Sequence, residues 1–69
     1  MTVKDIINEM DNEQGLTYEG IIVKNLMTDE LLYEGNVHGC SEKISEMMSL
    51  YTEPLKKDGI EYLFITVTE

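Results

Sequence analysis

The sequence contains no arginine, no alanine and no tryptophan, and it has one cysteine, one proline and one phenylalanine. Arginine supplies the planar fork that grips phosphates through paired hydrogen bonds. Its absence from a chain with fourteen Asp and Glu against five Lys, net charge −9, speaks against direct binding of DNA or RNA. The same balance speaks against anionic membrane surfaces. A single cysteine forms no internal disulfide and fits a reducing cytoplasm. The opening MTVKD carries no positively charged leader followed by an apolar run, and no stretch approaches the roughly 20 apolar residues that span a bilayer. The expectation is a cytoplasmic protein with no membrane contact. Alanine is the best helix former, and its absence has no structural reason visible in the sequence.

What is present makes one domain of 69 residues. A chain of this size buries only about 60% of its unfolded surface and is marginal alone, so a partner or a second copy is one route to stability. Residues 17–37, TYEGIIVKNLMTDELLYEGNV, predict a β-hairpin that serves as the platform of the fold. The turn lacks Asn-Gly or Asp-Gly and does not favour a tight two-residue type. Loops Met27–Glu30 and Thr28-Asp29 give one register, with Leu26 facing Leu31, Lys24 facing Tyr33, Ile22 facing Gly35 and Gly20 facing Val37. Tyr18, Ile22, Leu26, Leu31, Tyr33 and Val37 then form the better core face. Glu19, Ile21, Val23, Asn25, Leu32, Glu34, Asn36 and His38 form the other. Apolar residues on both faces mean two-sided burial, by the protein's own helices or by a partner or second copy.

Residues 3–11 predict a helix, with Val3, Ile6, Ile7 and Met10 on one face and a capping-box-like pair of Thr2 and Asp5. The polar run Asp11-Asn12-Glu13-Gln14-Gly15 is its stop. Residues 42–52 predict a second helix capped by Ser41, since Ile44, Met47, Met48, Tyr51 and Leu55 recur at helical spacing. Pro54 ends or kinks it, and Asp58-Gly59 marks a corner. Residues 60–68, IEYLFITVT, predict a third strand, again apolar on both faces. The expected fold class is α+β: one domain, α-β-β-α-β, with a three-stranded sheet of order 2-1-3 packed with two helices. In that order the last strand runs antiparallel to the first and parallel to the second, through a right-handed crossover. The helices lie on one face, leaving the other open, or flank the sheet.

Chemistry is sparse. A cysteine before a helix start, with a histidine two residues earlier, is the one pairing that suggests a nucleophile. His38 and Cys40 have no third group to fix them, and Cys40 reads as a small buried or half-buried residue. One His and one Cys fall short of a metal site. No glycine-rich phosphate loop is present, and the carboxylates read as solvated surface. The expectation is no enzyme, no catalytic residue, no metal and no cofactor.

The function classes that remain concern partners. Acidic charge favours approach to a basic protein surface, and its plainer role is solubility. For binding, the carboxylates best placed are Glu19, Asp29, Glu30 and Glu34 on the hairpin, with Glu61 and Glu69 on the last strand. An apolar partner or dimer interface would use Ile21, Val23, Leu32, Tyr62 and Phe64. The opening MTVKDIINEM resembles, in its pattern of apolar and acidic residues, the amphipathic first helix of an inhibitor in the anti-CRISPR group of small acidic phage and mobile-element proteins. The resemblance covers Met1 to Met10 and departs thereafter, so no binding residue is carried over. It implies a DNA-mimicking inhibitor whose target is a CRISPR effector or another nucleic-acid-processing protein. The alternative is a homodimeric structural or regulatory phage or bacterial protein without catalytic activity.

Overall fold

The structure, a computed structural model, describes residues 1–12 and 18–68. These residues form an α+β fold of two helices and a four-stranded mixed sheet: α1 (Val3–Asn12), β1 (Gly20–Asn25), β2 (Glu30–Asn36), α2 (Glu42–Ser45), β3 (Met48–Lys57) and β4 (Ile60–Thr68). The sheet order is β2-β1-β4-β3. β1 pairs antiparallel with β2 and parallel with β4, and β3 pairs antiparallel with β4. The expected helix stop at Glu13-Gln14-Gly15, the hairpin start at Thr17 and the carboxylate of Glu69 lie outside the described residues.

The first helix forms as its pattern and cap dictate. The Thr2 amide donates to Asp5 Oδ2 at 3.0 Å, and the Asp5 amide donates to Thr2 Oγ1 at 3.2 Å, so two of the free N–H groups at the helix start are satisfied reciprocally. The hydrogen bond from the Thr2 backbone, with one from its side chain, holds the Asp5 carboxyl below its usual 3.8. A carboxyl depressed by folding stabilises the fold above its unfolded value, and that contribution is lost as pH falls through the lower folded value. Asp5→Asn is therefore expected to lower the urea midpoint at pH 7. Its deficit against the unmodified chain should shrink once the pH falls below about 4, and an equal deficit at pH 7 and pH 2.5 would contradict the assignment.

Val3, Ile6 and Ile7 of α1 are buried against Ile21, Val23, Val37, Leu63, Ile65 and Val67. Ile44 and Met47, at and just after α2, pack on the same cluster. Both helices therefore lie on one face of the sheet, one of the two expected arrangements.

Three expectations change. The hairpin register is slipped: Gly20 faces Asn36, Ile22 faces Glu34 and Val23 faces Tyr33, and after a bulge Lys24 faces Leu31. Leu32 is the extra residue on β2. Because side chains alternate, a slip of one exchanges the faces, and Ile21 and Val23 turn to the helices instead of Ile22 and Leu26. The slip is favoured by burial: Ile21 and Val23 continue the apolar surface of Ile65 and Val67, all four fully enclosed. Asn25, which ends β1, accepts the Met27 amide at 2.9 Å and shapes the turn.

The second helix stops after one turn. Ser41 caps it, accepting the Ile44 amide at 3.4 Å, and residues 48–57 are a strand. Proline is costly inside a helix but tolerated on an edge strand, where one row of N–H groups has no partner. Pro54 sits opposite Leu63 on β3, an edge. Asp58 and Gly59 both have positive φ, 53° and 80°, the pattern of a two-residue type I′ hairpin turn.

The last strand has the expected bounds and lies beside β1, as expected, but runs parallel to it. The extra strand β3 reverses the chain once more before β4 begins.

Candidate functional site

Alternation places the sheet's residues on two faces. Toward the helices β1 and β4 turn Ile21, Val23, Leu63, Ile65 and Val67. Away from them they turn Gly20, Ile22 and Lys24, and Tyr62, Phe64 and Thr66. No helix among the described residues covers this outer face. Tyr51 and Leu55, opposite Thr66 and Tyr62, complete it on β3 and are 55% and 40% exposed. Two lysines cross the outer face. Lys24 Nζ lies 2.9 Å from Asp29 Oδ1 in the hairpin turn. Lys57 Nζ, from one edge strand, lies 3.1 Å from Glu34 Oε2 on the other. The Glu34 carboxylate beside it holds the Lys57 ammonium above the usual lysine range. β2 and β3 are the two edges of the sheet, so the Lys57–Glu34 ion pair spans its outer face. The Thr66 hydroxyl oxygen is buried there without a hydrogen-bond partner among the described residues.

The expected apolar interface is not one surface. Ile21 and Val23 are fully buried beneath the helices, and half-buried Leu32 packs against the same core. Only Tyr62 and Phe64 look outward. The register slip is the cause.

The acidic set divides as well. Glu19 and Glu61 lie together: the Glu19 amide donates to the Glu61 carbonyl at 2.8 Å. Asp29 and Glu30 lie at the opposite end of β1, in and after the turn. Glu34 is mid-strand on the outer face. Asp29 and Glu34 already neutralise lysines of the same chain.

His38 and Cys40 take separate structural roles. His38 Nε2 lies 3.2 Å from Asp11 Oδ1, and its amide donates to Asn36 Oδ1 at 2.9 Å. Cys40 is half-buried against the core, and burial pushes its thiol pKa up, the opposite of an activated thiolate. Gly39 makes room for Tyr33: a Cβ there would meet the phenol oxygen, which donates to the Asn36 carbonyl at 2.6 Å. Among the described residues, no group of three or more His, Cys, Asp or Glu side chains is placed to hold a metal ion. No helix among them is long and apolar enough to cross a membrane.

A further surface lies on the helix side. β3 turns Ser49, Thr52, Pro54 and Lys56 toward the helix layer, yet Thr52, Pro54 and Lys56 are exposed. Beside them is a cleft of about 360 Å³ lined by Met1, Ile6, Met10, Tyr18, Leu50 and Leu63, with Glu9 on its wall. Leu50 projects from the bulge between Ser49 and Tyr51. Sequence reasoning read residues 48–52 as helix and missed Leu50. The signal that would have found it is the Asp58-Gly59 pair between two strand-forming runs. Comparison with family models, with curated proteins and with solved structures returned no match to the chain.

Proposed function

We propose that this chain is a non-catalytic acidic interaction module, a phage-type inhibitor that binds a basic nucleic-acid-processing host protein in the host cytoplasm. The observation that carries the reading is a net charge of −9 without a single arginine. The carboxylates act as stand-ins for phosphates, entering a groove whose lysines and arginines otherwise hold nucleic acid. Glu19 and Glu61, adjacent and exposed, are the members of the expected set best placed to contribute. Asp29 and Glu34 contribute less, because Lys24 and Lys57 already screen them.

The test is capture from a bacterial lysate at low and high salt, followed by titration of the recovered protein. The expected result is one basic nucleic-acid-binding protein, released as salt rises and displaced by duplex DNA. Glu19→Lys with Glu61→Lys should weaken binding by about tenfold or more. Recovery of the bait alone, or capture indifferent to salt, would remove the reading.

The exposed Tyr51 and Leu55 on the outer face favour a second reading, a homodimer packed through Tyr51, Leu55, Tyr62 and Phe64. A chain that sediments as a monomer at high micromolar concentration would count against it.

A further inference from the structure

We propose that the place beside α1, over β3 and the start of β4, left open among the described residues, is the seat of an amphipathic α-helix with basic flanks, supplied by the partner. The inference rests on the acidic-module reading and gives that partner's docking element a chemistry.

Width is the first argument. A helix with its side chains is about 10 Å across and strands are about 4.8 Å apart, so one helix covers about two strands. A four-stranded sheet needs two such helices. Here α1 is the one helix longer than a single turn among the described residues, and the chain just after α2 meets the start of α1, where the Val3 amide donates to the Met47 carbonyl at 3.0 Å. Among the described residues nothing covers the helix-side Thr52, Pro54 and Lys56 of β3, and the cleft beside them has a volume of about 360 Å³.

The lining is the second. Met1, Ile6, Met10, Leu50 and Leu63 present flexible apolar groups, two of them methionines that repack around differently shaped side chains. A helix would seat residues at i, i+3 or i+4, and i+7 in such a groove. Charge is the third argument. Glu9 stands on the cleft wall, and Glu61 flanks the same surface with Glu19 beside it. Lys56, paired across from Glu61, offsets only part of this. Lysine or arginine on the flanks of the incoming helix would meet these carboxylates. Strand addition is the competing mode, and β3 discourages it with Pro54, Lys56, Lys57 and its bulge.

The probe is a fluorescein-labelled synthetic helix of leucine and lysine, with leucines at i, i+3, i+4 and i+7, titrated with the full chain and read by anisotropy. Its control is a scrambled peptide of the same composition. The amphipathic peptide should bind at least about tenfold tighter than the scrambled one. Leu50→Ser should lose a similar factor, Glu9→Lys should flatten the salt dependence, and both variants should keep the parent circular dichroism spectrum. Amide shifts should appear at Met10, Leu50 and Leu63 and spare Tyr62 and Phe64. Equal binding of both peptides with Leu50→Ser unaffected would overturn the seat while leaving a purely electrostatic module intact. Shifts confined to Tyr62 and Phe64 would overturn it in favour of the outer face. Concentration-dependent shifts at the cleft without peptide would give the place to a second copy and also overturn it. Peptide seated in the cleft with no basic protein captured from lysate would support the seat and remove the inhibitor reading.

Discussion

Ile65→Ala is expected to remove about 2–5 kcal/mol of unfolding free energy, from a chain whose whole stability is of order 3–10 kcal/mol. Ile65 is fully enclosed. It faces Val23 on β1 and Thr52 on β3, and belongs to the cluster under Val3, Ile6 and Ile7. Truncation removes three carbons from the middle of the sheet, where neighbours on both strands are hydrogen-bonded in register and collapse into the gap poorly. Urea unfolding with an unchanged slope gives the number directly. Ile65→Val supplies a milder step of about 0.5–1.5 kcal/mol. A midpoint that hardly moves for Ile65→Ala, with a large loss for Phe64→Ala, would mean that the faces of the sheet are exchanged.

Gly20→Val should be nearly as damaging, for a different reason. A Cβ at Gly20 would run into the Gly35 carbonyl oxygen on β2, and into the Tyr62 ring at 2.8 Å on β4. The ring can rotate away. The carbonyl belongs to the hairpin backbone, held by the pairing of Gly20 with Asn36 and Ile21 with Gly35, and it moves only with the strand. Overpacking of this kind costs about 1–3 kcal/mol, with added loss if the hairpin ladder opens. The double variant Gly20→Ala, Tyr62→Ala separates the two contacts. It should recover little compared with Gly20→Ala alone, because the carbonyl contact persists. Full recovery would place the whole cost in the ring.

Much of this architecture was legible in residues close together in the chain. Thr2 and Asp5 are three apart, and their reciprocal cap forms as the pattern implies. The run Ile60 to Thr68 reads as a strand and is one over those bounds. What failed depends on partners distant in sequence. The hairpin register could not be chosen locally, because Ile21 and Val23 compete with Ile22 and Leu26, and the choice is made by Ile65, Val67 and the face of α1. The strand at residues 48–57 was hidden for another reason. An edge strand with exposed residues on both sides carries no alternating burial for its sequence to record, while Ile44, Met47, Met48, Tyr51 and Leu55 fall by coincidence at helical intervals. Of the candidate site, Glu19 and Glu61 were named from the sequence. The cleft was not, because Met1, Met10, Leu50 and Leu63 meet only after β3 has folded back along β4.

The parallel pairing of β1 with β4 also decides the order of assembly. Residues 20–36 and 48–68 are each antiparallel hairpins whose strands meet across short turns, and such units close on a microsecond scale. The two halves join along the ladder that runs from Gly20 opposite Tyr62 to Asn25 opposite Val67, and closing that seam carries most of the chain-closure entropy. Closing the seam is then expected to set the folding rate, and slowed refolding of Val23→Ala or Ile65→Ala is the measurement that checks it.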